Sequence, residues 1–243
     1  MEIAGYIASL MIGVALGLIG GGGSILTVPV LVYLFHVEPV LATSYSLLIV
    51  GATSLVGALP KYTQGLVNVK TAFIFGLPSI AAVFATRKYL VPLIPDELWN
   101  VGGMLIPKSI LMMLLFAVLM VAASVSMIIG KKASAAEEMS EQKFNYPLIF
   151  LEGLLVGVLT GFVGAGGGFL IIPALVLLSK LPMKQAIGTS LLIIAAKSLI
   201  GFTGDLSNYK MDWQLLAMVT AIAIGGIFLG HALSKKVKGE NLK

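Results

Sequence analysis

Residues 3–35 and 147–179 are two apolar runs of thirty-three residues each, with Glu152 the single charge in the pair. At 1.5 Å per residue each would make a helix about 50 Å long, against a hydrocarbon core of about 30 Å. Both runs therefore predict a break or a strong tilt, and both carry a glycine cluster near the middle followed by a proline. In the first it is Gly20-Gly21-Gly22-Gly23 with Pro29, in the second Gly164-Ala165-Gly166-Gly167-Gly168 with Pro173.

Shifting the sequence against itself by 144 residues superposes the two clusters without a gap. Gly13, Gly17, Gly20, Gly22, Gly23 and Pro29 fall on Gly157, Gly161, Gly164, Gly166, Gly167 and Pro173. Ala42, Ser46, Leu47, Leu48 and Ile49 fall on Ala186, Ser190, Leu191, Leu192 and Ile193, and Arg87 falls on His231. Shared apolar character would interchange Leu, Ile and Val, but it would not hold glycines, a proline and a serine in register over two segments. The sequence reads as a duplication, and paired glycine-broken segments at matching positions are the signature of a transporter whose site lies at the repeat interface.

The remaining apolar runs are 41–60, 71–91, 104–130, 186–204 and 212–234, seven in all. The expected fold is all-α, a single polytopic membrane domain over 1–243. Its repeats are 1–130 and 145–243, joined by the polar linker 131–146. The run 104–130 has no counterpart in the second repeat. Four single crossings per repeat unit would make the halves parallel; one re-entrant run in each, for which the glycine-broken segments are the obvious choice, would invert them.

Composition agrees. Charged residues make up 11% and apolar ones 58%, where an ordinary soluble domain is about 25% charged. Disordered, fibrous and secreted scaffolds are excluded, and the absence of cysteine removes disulfides and thiolate chemistry. The net charge of +5 comes from lysines at the ends of apolar runs rather than from a basic cluster with interleaved aromatics, so nucleic acid is not an expected partner and the lipid bilayer is. Tyr6, Tyr62, Tyr89, Trp99, Tyr146, Tyr209 and Trp213 near segment ends fit an interfacial belt. Met1-Glu2-Ile3-Ala4 has no cationic signal region, so the first run is expected to stay in the mature chain. For seven single crossings, basic residues number nine on the C-terminal side against six on the other, which favours a cytoplasmic C-terminus. No metal or nucleotide motif is present, and no cofactor is expected.

The expected substrate site draws on three features. Glycine clusters Gly20, Gly21, Gly22, Gly23 and Gly164, Ala165, Gly166, Gly167, Gly168 offer backbone N–H groups at a broken helix, backed by the dipole of the half-helix that follows. Against this stands a packing role, which the spacings Gly13-x-x-x-Gly17 and Gly157-x-x-x-Gly161 fit well. Lys197 is a cation well inside an apolar segment, costly and by default functional, with Thr53 at its repeat position; the alternative is snorkelling, or a pair with Glu152 or Asp205. Ser44, Tyr45, Ser46, Thr189 and Ser190 add hydroxyls, each of which could equally satisfy a helix carbonyl. Neutral donors with one cation suit a small anion. Asn68 and Asp212, at equivalent positions before the third run of each half, read as helix N-caps.

These residues resemble the TauE/SafE family of membrane proteins, the sulfite exporters. The likeness rests on Gly-x-x-Gly-x-Gly-Gly-x-x-x-x-x-Pro at Gly17–Pro29 and again at Gly161–Pro173. It rests also on Ala42-Thr43-Ser44-Tyr45-Ser46-Leu47-Leu48 with Ala186-Ile187-Gly188-Thr189-Ser190-Leu191-Leu192, and covers nearly the whole chain. The resemblance implies secondary transport of a small sulfur-containing anion, of the sulfite, sulfonate or thiosulfate class, in the cytoplasmic membrane. Proton or ion coupling, or facilitated flux, would drive it, and a homo-oligomer is compatible with it. The alternative is a membrane scaffold or accessory subunit whose glycines serve helix packing. An enzyme is not expected, since no nucleophile has a base within plausible reach.

Overall fold

The structure is a computed structural model and describes residues 2–95, 97–101, 104–133, 146–177 and 181–234. In chain order the first long run becomes helix α1 (Glu2–Ile19), a 3₁₀ turn (Gly21–Leu26) and α2 (Thr27–Tyr33). Helices α3 (Pro39–Thr63) and α4 (Val69–Ala85) follow, the latter continued by a π-helical turn (Thr86–Leu90) and the short α5 (Val91–Leu93). Strands β1 (Glu97–Val101) and β2 (Met104–Pro107) precede α6 (Lys108–Ala133). The second long run becomes α7 (Tyr146–Val163) and α8 (Gly168–Leu177), and α9 (Met183–Asp205) and α10 (Trp213–Ser234) complete the described chain.

Both expected breaks are present, and glycine makes them. Gly20 has φ +81° and Gly164 φ +72°, followed by Gly166 at +65° and Gly167 at +69°, a left-handed backbone that costs an L-residue about 1–2 kcal/mol. Both caps read from sequence are formed as well. Asn68 Oδ1 accepts from the N–H of Thr71 and Asp212 Oδ1 from that of Leu215, each at 3.0 Å.

The chain is mostly helical, as expected, and one boundary differs. The run 104–130 does not start as helix: Met104–Pro107 pairs antiparallel with Glu97–Val101 as a two-stranded hairpin, and helix begins at Lys108. Pro107 explains the position, since it disfavours helical backbone in the residue before it and is tolerated at a helix start. Of the linker 131–146, residues 134–145 lie outside the described residues, as do 178–180 and 235–243.

Among the described residues four helices are long and apolar enough to cross a membrane: Pro39–Thr63, Val69–Leu93, Met183–Asp205 and Trp213–Leu233. Large apolar side chains face outward in rows, Ile3, Ile7 and Met11 on α1, Phe73 and Leu77 on α4, Leu114, Val118 and Val121 on α6. A surface so apolar is stable against hydrocarbon and not against water. The chain is a multi-pass membrane protein.

Inside, α1 lies along α10 and α7 along α4, while α3 packs on α9. Small residues permit the close approach. A Cβ on Gly17 would stand 2.6 Å from the Ile227 carbonyl oxygen, and one on Gly157 2.6 Å from that of Ser79. These two contacts, with those of Gly13 at Ala223 and Gly161 at Thr86, give the small-xxx-small glycines the packing role.

Candidate anion site at the crossing of the broken helices

The two breaks meet. A Cβ on Gly21 would run into the backbone of Gly168, and one on Gly168 into that of Gly21, so the clusters read from the sequence are in direct backbone contact. Each break also sits on the second long helix of the opposite half, Gly20 against Ile187 and Gly164 against Thr43. Positions 43 and 187 are themselves 144 apart.

Lys197 projects from α9 into this crossing. Its side chain is fully buried, and its Nζ donates to Thr160 Oγ1 at 3.0 Å. The same Nζ lies 2.8 Å from the point a Cβ on Gly167 would occupy. The ammonium therefore rests on the turn between α7 and α8, in space that exists because residue 167 has no side chain. Thr160 Oγ1 is held in turn by Val156 O at 2.7 Å. Among the described residues Lys197 has no carboxylate partner: Asp205 is taken by Arg87, and Glu152 Oε2 is buried without a hydrogen-bond partner. A buried cation held by one neutral hydroxyl retains most of its attraction for an anion.

The opposite half lacks this chemistry. Thr53, at the repeat position of Lys197, donates back to Ile49 O at 2.7 Å, and a Cβ on Gly23 would meet Leu16, Ala15 and Ile12. The two repeat positions therefore differ, a cation at 197 and a hydroxyl at 53.

The hydroxyls divide by partner. Tyr45 Oη accepts from the backbone N–H of Asp212 at 2.6 Å, and Thr189 Oγ1 accepts from that of Asn68 at 2.9 Å. Each thus ties a second helix to the start of the third helix in the other half. Ser190 donates to Ile187 O at 2.9 Å, and Ser44 accepts from Arg87 at 3.4 Å. Ser46 Oγ, Ser54 Oγ and Ser198 Oγ are buried without a hydrogen-bond partner among the described residues. Buried hydroxyls are ordinarily paired, so these remain available as donors. Ala165, in the second break, is fully buried in a cluster with Val28, Phe116, Val163 and Phe169.

One constellation was not read from the sequence. Arg87, in the π-helical turn after α4, is fully buried, and its Nη1 lies 3.3 Å from Asp205 Oδ2 and 2.9 Å from Thr43 Oγ1. Thr160 was missed too, because mid-helix threonines usually bond the preceding turn.

The family model for "Sulfite exporter TauE/SafE" matches residues 6–243. Among relatives, a "Probable membrane transporter protein" of Xylella fastidiosa strain 9a5c is 32% identical over 93% of this chain and 82% of its own. The Bacillus subtilis "Probable membrane transporter protein YdhB" is 26% identical over 90% of this chain and 85% of its own. An archaeal one, MJ0441 of Methanocaldococcus jannaschii, is 23% identical over 98% and 88%. No solved structure matches the chain.

Proposed function

The chain belongs to the sulfite exporter TauE/SafE family of membrane transporters, and on that premise we propose that it carries a small sulfur-containing anion, of the sulfite, sulfonate or thiosulfate class, across the cytoplasmic membrane. The observation that carries this reading is the position of Lys197. Its ammonium is buried at the crossing of two broken helices with Thr160 as its hydrogen-bonding partner.

The ammonium is sealed from solvent in this conformation, so an oxyanion reaches it when the crossing opens and then supplies the charge partner it lacks. The Gly164–Gly168 turn leads into the ten-residue α8, whose first N–H groups and dipole favour negative charge. The Gly20–Gly23 cluster contributes the opposing wall through Gly21, and Ser198, next to Lys197 on α9, has a buried hydroxyl free to donate; Ser46 and Ser54 on α3 are unpartnered as well. Ser44, Tyr45, Thr189 and Ser190 support the walls by the bonds described above rather than by binding. A single cation among neutral donors binds an anion and also releases it, where a cluster of cations would trap it.

The pairing of α1 with α10 and of α7 with α4 supports two duplicated halves, residues 1–130 and 145–243, each lending its first helix to the third helix of the other. Rocking or gating of one repeat against the other around a fixed central site is the general way a repeat transporter alternates access. The lipid bilayer and the small anion are the partners this reading requires. The test is uptake of labelled sulfite, thiosulfate and taurine into liposomes containing the purified protein. Saturable uptake of at least one above protein-free vesicles is expected; none above background for any sulfur anion would remove the substrate class.

A further inference from the structure

The offset of 144 that relates the halves makes the buried Arg87–Asp205 pair one of two equivalent places, since Arg87 corresponds to His231 and Asp205 to Lys61. The walls are built alike. Gly201 packs on Val83 and Leu47, and its counterpart Gly57 packs on Ile227 and Leu191. The charges are not alike. In the first place a guanidinium meets a carboxylate at 3.3 Å, with Thr43 and Ser44 hydroxyls on the same Nη1. In the second, those hydroxyls are replaced by Ile187 and Gly188, and the carboxylate by the lysine.

A cleft of about 30 Å³ remains there, its wall mainly apolar, with Lys61 and His231 as the charged or titratable groups and no acidic residue among the described residues that line it. That is room for about two waters or one small ion. Lys184, one turn before Gly188 on α9, lies within electrostatic reach of Lys61, and the Lys61 Cβ stands 3.2 Å from where a Gly188 Cβ would be. Lys61 and His231 thus line one cleft, with Lys184 close enough to act on Lys61, at the place where the other half has an internal carboxylate.

We propose that this cleft binds a small oxyanion between Lys61 and His231, with Lys184 at the rim, the dissolved anion taking the role that Asp205 plays in the other half. The site is distinct from that at Lys197: Gly188 and Lys197 are nine residues apart on α9, about 13 Å along its axis. It rests on the charge difference between equivalent places and not on the transport reading.

The chain has two histidines, His36 and His231, so ring-labelled histidine gives a local readout. Protein in maltoside micelles, free of phosphate headgroups, is titrated with sodium sulfite and sodium sulfate at constant ionic strength, His36→Gln assigning the signals. The His231 resonance is expected to move saturably with either anion. Lys61→Gln should weaken binding by about tenfold or more, as loss of a close charged partner does, and Lys61→Asp should move the resonance without anion and abolish the titration. Lys197→Ala should leave the titration unchanged, which separates this site from the central one. A His231 signal indifferent to both anions, a titration that survives Lys61→Asp, or a response to added phosphatidylglycerol with none to sulfite or sulfate would each overturn the proposal.

Discussion

The Lys197 ammonium occupies the space that a side chain at Gly167 would fill, 2.8 Å from its ideal Cβ position. Neither residue is placed by its own helix alone. Lys197 is carried by α9, whereas Gly167 holds φ +69° in the turn between α7 and α8, and each leaves room for the other.

Gly167→Ala should therefore damage the site as well as the turn. The new methyl meets Thr160 and the Lys197 Nζ, and the left-handed backbone adds about 1–2 kcal/mol of strain. Gly65→Ala, with φ +69° and open space around it, carries the strain alone and is the control. Thermal unfolding in detergent should fall for both and further for Gly167→Ala, and transport, normalised to folded protein, should drop only for Gly167→Ala.

Removing one partner of the buried Arg87–Asp205 pair should cost about 3–5 kcal/mol, because the other charge is left uncompensated away from water. Arg87→Met and Asp205→Leu should each lower the unfolding midpoint strongly, and the double variant should recover much of the loss. A double-mutant cycle by chemical denaturation in micelles measures this; additive losses would mean that the two side chains are not coupled.

Tyr45→Phe and Thr189→Val should behave as a matched pair. Each deletes the acceptor for a backbone N–H at the start of a third helix, at about 1–3 kcal/mol where the group stays buried and less where water reaches it. Asn68→Ala and Asp212→Ala should each cost about 1 kcal/mol through loss of the cap. Hydrogen exchange at the first turns of α4 and α10 reads both effects, and faster exchange is expected locally in every variant.

These cases mark how far the sequence can be read. The breaks were legible because only glycine tolerates the backbone at positions 20 and 164, and the caps because Asn68 and Asp212 directly precede apolar runs. Lys197 was legible as a charge where none belongs. Arg87 and Asp205 were not: each stands at the end of its run, where a charge ordinarily meets headgroups, and tertiary packing alone brings them together. Tyr45 and Thr189 were read as site lining because a hydroxyl does not reveal its partner, here a backbone N–H far along the chain. The pairing of Glu97–Val101 with Met104–Pro107 was overlooked, because the apolar residues Met104, Leu105 and Ile106 read equally well as the first turn of a helix.

The central claim is that the Lys197 ammonium binds the transported anion, and the initial rate of labelled sulfite or thiosulfate uptake into liposomes tests it most directly. Wild type, Lys197→Ala and Lys197→Arg are compared at equal amounts of folded, inserted protein. The rate should fall by about a hundredfold in Lys197→Ala, equivalent to about 3 kcal/mol for a lost charge-assisted contact, with partial retention in Lys197→Arg. A rate in Lys197→Ala equal to that of wild type, or a partner protein that co-purifies while neither form transports, would contradict the account and leave the glycine-rich crossing as a packing device.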